Sequence, residues 1–278
     1  KARGGRAYAD VRRRLREPFG LVLALQVYIK AGLVTALLRS PVKLGFDRAR
    51  ARDLNWLFTT HRIPPHAPQH VQDQYFEFLE FLGVPHEPVV WNVGPWPQER
   101  AAQRRFFAAT ERPVATLVIG SSHREKRWLA SRWAELSDAL EDRFGLQPVL
   151  AGGRSPEELD TEREIRARVR RAPLSTLGVP LRDLIGLLEG SALVISLDTG
   201  PLHMAVALRR PVIALMGYNN PKRVGPYRWS RDLMLDAYGD PGEDYPISMV
   251  KRADRMARIT VEMVLEKVAT WREQVATR

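Results

Sequence analysis

The residues best suited to chemistry stand directly after short apolar runs in the second half of the chain. Residues 115–119 form one run, and glycine, two serines and then Lys126 follow it. Residues 192–197 form another, and the sequence Asp-Thr-Gly-Pro at 198–201 follows it. Proline suits the first turn of a helix, and the free N–H groups of a helix start attract phosphate. Together with a lysine ammonium, these residues predict a site for a nucleotide diphosphate.

Alternating strand and helix patterns must position these residues. The sequence predicts strands at residues 115–119, 148–151, 192–197 and 211–216, and helices at 131–144, 156–169, 181–188, 201–208 and 260–271. Such alternation is typical of a parallel sheet with helices on both faces. Ligands of these sheets bind where the carboxyl ends of the strands meet. The polar residues after the strands should therefore gather at one edge.

The first half of the chain gives a weaker pattern. It predicts one buried strand at residues 21–25 and helices at residues 9–16, 29–38 and 72–82. Prolines are frequent from residue 84 to residue 113, and we interpret that segment as an irregular connector between two domains.

Positive charge is concentrated near the start of the chain. Residues 1–62 contain fourteen Lys and Arg against four acidic residues, and the whole chain carries a net charge of +11. A basic surface attracts phosphates, whether on nucleic acid, anionic lipid or a phosphorylated sugar. The region lacks the interleaving of aromatic and basic residues that stacks bases, so nucleic-acid binding stays only as an alternative.

Composition excludes several classes of protein. The chain has 278 residues, enough for two domains, and contains no Cys. Disulfide scaffolds, thiol nucleophiles and Cys-built metal centres are therefore excluded. The sequence contains no run of 18 apolar residues, so it predicts no membrane span. We expect neither a metal nor a cofactor.

Residues 194–205 and 210–217 together resemble the signature of glycosyltransferase family 9, the bacterial heptosyltransferases of the lipopolysaccharide inner core. Residues 121–128 resemble the serine- and threonine-rich turn of that family and its lysine, and residues 221–227 resemble a later segment. First-half segments that contain Lys30, Lys43 and Arg52 resemble the heptosyltransferase I group most.

This resemblance implies an α/β fold of the GT-B type, in which two Rossmann-like domains face a cleft. We expect an acceptor-side domain with its connector at residues 1–105 and a nucleotide-sugar domain at residues 106–278. The implied reaction is inverting transfer of L-glycero-D-manno-heptose from an ADP-heptose donor to the Kdo and lipid A inner core. Another nucleotide-sugar glycosyltransferase activity on the same scaffold is the alternative.

The resemblance also implies which residues bind each substrate. The expected donor-binding residues are Ser121, Ser122, Lys126, Asp198, Thr199, Gly200 and His203. The expected acceptor-binding residues are Lys30, Lys43 and Arg52. For Asp198 and Thr199 we keep helix capping open as a second role, and for His203 a half-buried structural role. Asp160 and Glu162 are interpreted as helix surface.

Two departures from the family pattern stand out. The family carries its catalytic aspartate in a glycine-containing loop after its first strand, and no such loop precedes Leu21. We therefore expect the general base upstream of Lys1, an incomplete first domain, and poor transfer by this chain alone. Residues 218–220 read Tyr-Asn-Asn where the family often has Pro-Thr-Asp.

The expected partners follow from the implied reaction. They are an ADP-sugar, a phosphorylated glycolipid and an anionic membrane surface, but no nucleic acid. The expected location is cytoplasmic, peripheral on the inner face of the cytoplasmic membrane.

Overall fold

The computed structural model describes residues 5–277, and the chain divides into two compact units between Val89 and Val90. The boundary predicted from the sequence lies later, after residue 105. Among the described residues, no helix is both long enough and apolar enough to cross a membrane.

The first unit is built on a small parallel sheet. Its elements are α1 (Gly5–Arg14), β1 (Leu21–Ala24), α2 (Ile29–Leu37), β2 (Val42–Gly45), β3 (His61–Arg62) and α3 (Val71–Phe81). The strand order is β1-β2-β3, with Leu21 paired to Val42 and Leu44 paired to His61. The core of this unit is a small cluster of buried side chains: Leu44, Phe46, Ile63 and Phe78.

The second unit contains a larger sheet. Its elements are α4 (Pro97–Ala108), β4 (Val114–Val118), α5 (Ala130–Phe144), β5 (Gln147–Ala151), α6 (Pro156–Arg166), β6 (Leu174–Ser175), α7 (Leu181–Gly190), β7 (Leu193–Leu197), α8 (Gly200–Ala207), β8 (Val212–Met216), α9 (Pro221–Val224), β9 (Leu235–Asp236) and α10 (Val261–Ala276). The order is β6-β5-β4-β7-β8-β9, and all pairs are parallel. The predicted α/β fold with a parallel sheet is confirmed.

Burial explains why these strands can be predicted. Every residue of β4, β7 and β8 is buried, as expected for central strands that helices cover on both faces. The largest core cluster lies in this unit and includes Leu117, Trp133, Ile195 and Leu215. Each such side chain contributes about 1.5–3 kcal/mol by leaving water. This packing fixes the sheet and therefore the positions of the residues that follow its strands.

The segment interpreted as an irregular connector contains a regular helix, so that prediction is wrong in part. Helix α4 begins with Pro97 in its first turn, where a missing N–H costs nothing. The side chain of Glu99 accepts a hydrogen bond from the N–H of Trp96, and Gln103 Nε2 donates to the carbonyl of Gly186 in α7 at 2.9 Å. Packing against α7 stabilises α4, a helix that the many prolines of this segment make hard to predict from the sequence.

Candidate functional site

Three side chains from three strand ends meet at the carboxyl edge of the second sheet. Lys126 lies after β4, Asp198 after β7 and Asn219 after β8. Lys126 Nζ lies 2.9 Å from Asp198 Oδ2 and donates to the Asp198 carbonyl at 3.0 Å. Asn219 Nδ2 donates to the same Asp198 Oδ2 at 2.6 Å. The Lys126 and Asp198 side chains are only 14% and 9% exposed, so the charge pair is nearly buried and its geometry is fixed.

The start of α8 lies directly after this carboxylate. Thr199 is the residue before the helix, and its side chain accepts no capping hydrogen bond. Its hydroxyl instead donates to the carbonyl of Leu197 at 3.3 Å. The side chain of Thr199 therefore does not cap α8. The first N–H groups of α8 lie beside Gly200, which leaves room for a ligand to approach the backbone.

The two predicted serines differ in their surroundings. Ser121 is buried, and its Oγ contacts both backbone groups of His123, donating to the carbonyl and accepting from the N–H at 3.3 Å each. Ser122 is exposed. Ser121 therefore shapes the turn after β4, while Ser122 presents its hydroxyl to solvent at the same edge.

A carboxylate that the sequence analysis does not single out lies beside the glycines of this edge. Glu158, in the first turn of α6, accepts from the N–H of Gly153 at 2.9 Å and from the N–H of Ser155 at 3.0 Å. A Cβ placed on Gly120 would overlap its carboxylate, and one on Gly152 would lie 3.2 Å from it. A side chain at position 120 would therefore displace the Glu158 carboxylate, whereas one at position 152 would require only a small shift. The glycine pair after β5 with a glutamate five residues later was the available sequence signal.

His203 lies one turn into α8 with its ring exposed to solvent on one side. The surrounding protein partly desolvates the ring, and this is the main reason that the pKa of His203 lies below its ordinary value. The Lys126 charge lowers that pKa further, while the Asp198 charge opposes both effects. His203 is therefore neutral at pH 7 and can offer one donor and one acceptor to a ligand.

In the first unit, two of the three predicted acceptor residues lie at one edge. The Arg52 N–H donates to the carbonyl of Val27 at 2.8 Å, just before Lys30 at the start of α2. Both Arg52 and Lys30 are exposed. Lys43 lies within β2, and its Nζ donates to the carbonyl of Ala36 near the end of α2 at 3.4 Å. The chain enters β2 from that end, so Lys43 points away from the edge that carries Lys30 and Arg52.

A buried ion-pair network, which the sequence analysis does not identify, holds the loop that carries Arg52. Arg50 Nε lies 2.5 Å from Asp47 Oδ2, and Arg50 Nη1 lies 2.6 Å from Glu77 Oε2. Arg50 Nη2 also donates to the carbonyl of Pro64 at 2.9 Å. All three charged side chains are at least 86% buried. Arg50 is thus a structural cation, fully engaged with the protein.

A family model described as glycosyltransferase family 9 (heptosyltransferase) matches residues 8–241. The chain belongs to glycosyltransferase family 9. The family resemblance predicted from the sequence is confirmed, and the family 9 chain is an enzyme of the glycosyltransferase class.

Curated relatives carry heptosyltransferase names. The family 9 chain is 28% identical over 259 residues to the lipopolysaccharide core heptosyltransferase OpsX of Haemophilus influenzae, covering 89% of this chain and 73% of the relative. It is 26% identical over 225 residues to lipopolysaccharide heptosyltransferase 1 of Pseudomonas aeruginosa, covering 78% of this chain and 59% of the relative.

Solved structures support the same fold. A family 9 glycosyltransferase from Veillonella parvula aligns with a TM-score of 0.75 at 23% identity, over 96% of this chain and 78% of that protein. Escherichia coli heptosyltransferase WaaC with ADP aligns with a TM-score of 0.68 at 23% identity, over 96% of this chain and 79% of that protein. The solved heptosyltransferases are of the GT-B type, as the sequence analysis expects.

The described residues contain no cluster of three or more His, Asp or Glu side chains arranged to hold a metal ion.

Proposed function

We propose that this chain acts in lipopolysaccharide heptosyl transfer, with an ADP-heptose donor and an acceptor sugar of the Kdo and lipid A inner core. The observation that carries the proposal is the meeting of Lys126, Asp198 and Asn219 at three strand ends beside the open start of α8. The names of the curated heptosyltransferase relatives support heptose as the transferred sugar and lipopolysaccharide as the acceptor class.

In this proposal the donor binds the second unit, residues 90–278. The diphosphate lies against the N–H groups at Thr199 and Gly200, with the Lys126 ammonium and the Ser122 hydroxyl beside it. These fixed donors stabilise the negative charge that develops as the diphosphate leaves, at little reorganisation cost. Neutral His203 hydrogen-bonds the donor, and Asp198 holds Lys126 in place.

The reaction itself is a displacement at the anomeric carbon. The acceptor hydroxyl oxygen forms the new bond to that carbon, the bond to the diphosphate oxygen breaks, and its electron pair leaves with ADP. The hydroxyl proton passes to a general base, for which we assign no residue of this chain. The first unit contributes Lys30 and Arg52, whose exposed cations attract the phosphates of the glycolipid and of an anionic membrane surface.

Calorimetric titration with ADP tests the donor site. We expect Lys126→Ala to weaken ADP binding by about 1.5–3 kcal/mol, roughly tenfold to 150-fold, because a charged hydrogen bond is lost. Arg104→Ala, which removes an exposed cation from α4, is the charge-matched control and should leave the affinity unchanged. Unchanged ADP affinity in a folded Lys126→Ala protein would contradict the assignment.

Competing nucleotides test the alternative of another sugar donor on this scaffold. If UDP or GDP binds more tightly than ADP, the chain uses a different nucleotide sugar, and the ADP-heptose proposal fails.

A further inference from the structure

A second lysine is fixed beside this edge by a strap of chain that follows β9. The backbone of Lys251 forms an antiparallel bridge with Asn219, and the N–H of Arg252 donates to the carbonyl of Tyr218 at 3.0 Å. Arg252 is itself held by Glu243, whose two carboxylate oxygens each lie 2.6 Å from a guanidinium nitrogen. The backbone of Lys251 is therefore as well positioned as the loop that carries Asn219.

The side chain of Lys251 lies on the ring of Tyr218. Its Nζ is 5.5 Å from the ring centroid, within the range of a cation–π contact. On the side toward β4, the His123 ring is 6.1 Å from the Tyr218 ring, with 31° between the planes. Because β7 lies between β4 and β8, these two rings approach each other across the end of β7. Lys251 is linked to Asp198 more directly through Asn219, which pairs with the Lys251 backbone and whose side chain donates to Asp198.

The two lysines differ in the charge that they can offer to a ligand. Lys126 is in contact with the carboxylate and the carbonyl of Asp198, so much of its charge is balanced before any ligand binds. Lys251 is exposed, and within residues 5–277 it has no carboxylate partner. A diphosphate carries more negative charge than the neutralised Lys126 and Asp198 pair can compensate.

We infer that Lys251 is a second cation of the donor site, and that its ammonium contacts the diphosphate of the bound donor. This inference rests on the proposed function and extends it, since the sequence analysis assigns Lys251 no role. The Tyr218 ring supports the lysine stem and keeps the ammonium at the edge when the site is empty. Rotation of its side chain off the ring would then bring the ammonium to the diphosphate.

Titrations with a series of adenine ligands test the inference. In Lys251→Ala we expect roughly tenfold weaker binding of ADP, a smaller loss for AMP and no change for adenosine, because only the phosphates meet the ammonium. Lys251→Arg should recover most of the ADP affinity. Arg104→Ala removes the same charge from α4 and should bind ADP as the wild type does, which separates a contact from a long-range field effect.

The outcomes separate this inference from the proposed function. If Lys251→Ala binds ADP normally while Lys126→Ala does not, the second cation is refuted and the donor site stands. If adenosine binding falls as much as ADP binding, Lys251 has only a structural role and the inference fails. If the wild-type protein binds no ADP at all, both the proposed function and the inference fail.

Discussion

The carboxyl edges of the two sheets use charge in different ways. In the second unit, the charged side chains at the strand ends bind one another: Lys126 pairs with Asp198, and the Asn219 amide donates to the same carboxylate. In the first unit, the paired cation is Arg50, whereas two of the three cations predicted to bind the acceptor, Lys30 and Arg52, are exposed. A cation near a strand end is therefore not by itself a ligand contact.

The number of carboxylates on each buried cation separates the two cases. Arg50 lies between Asp47 and Glu77, so its charge is more than balanced inside the protein. Lys126 meets a single carboxylate, beside a helix start whose N–H groups are open. The Arg50 network only fixes a loop. The Lys126 pair also fixes a loop, but the N–H groups beside it can still bind an anion.

The largest expected effect comes from breaking the Arg50 network. We expect Arg50→Met to lower the free energy of unfolding by about 3–5 kcal/mol, because two buried carboxylates lose their counter-charge. Arg52→Met, two residues along the same loop, should change it by less than about 0.5 kcal/mol. Urea denaturation measures both. Equal effects of the two substitutions would show that Arg50 is no more structural than its exposed neighbour.

The exposed cations of the first unit should affect membrane binding instead. We expect Lys30→Ala with Arg52→Ala to weaken co-sedimentation with anionic vesicles by about 1 kcal/mol for each charge. The effect should fade at 1 M salt, where the Debye length is about 3 Å. Lys43→Ala is the control from the other end of the sheet. Tight, saturable binding to duplex DNA with no capture by vesicles would favour the nucleic-acid alternative.

A smaller effect on stability is expected from a substitution at Gly120, beside Glu158 in the second unit. Gly120→Ala should cost about 1–2 kcal/mol of stability, because the new methyl group displaces Glu158 from its two backbone N–H partners. In a protein that already carries Glu158→Ala, Gly120→Ala should lower the stability clearly less than it does in the wild type. If the two substitutions prove additive in thermal unfolding, Glu158 is not the group that requires a glycine at position 120.

The smallest expected effect is a change in pH dependence. Because the folded protein lowers the pKa of His203, the unfolded chain takes up the proton first as pH falls below about 6.5. Stability should therefore be complete above that pH and decline toward pH 5. His203→Gln should decline less steeply over this window. Denaturation curves at several pH values would contradict the argument if both proteins gave the same slope.

Most strands that the sequence predicts are buried along nearly their whole length, whereas β1, predicted as a buried strand, is mostly exposed. Strands β4, β5, β7 and β8 are apolar runs inside a sheet covered on both faces, so their sequences identify them. Strands β3, β6 and β9 have two residues each and form only because a neighbour pairs with them. Nothing in such short segments distinguishes them from loops.

The same distinction applies to the candidate site. The topology brings Lys126 and Asp198 together as expected, because residues that follow neighbouring parallel strands must share an edge. Asn219 and Arg50 could not be assigned, since their roles depend on which way each side chain turns. Glu158 could have been found from the glycine pair that precedes it. The position of Lys43 likewise could not be predicted, because it depends on the direction in which the side chain leaves β2, which the sequence does not show.

The strand order of the second unit has a consequence for how the protein is made. Strand β4 pairs with β5 on one side and with β7 on the other. During synthesis, β4, β5 and β6 can pair as soon as they leave the ribosome, whereas β7 arrives more than seventy residues after β4. Until then, the edge of β4 that later pairs with β7 stays open to other nascent chains. Slower translation through residues 119–192 should therefore expose this edge for longer and lower the yield of soluble protein.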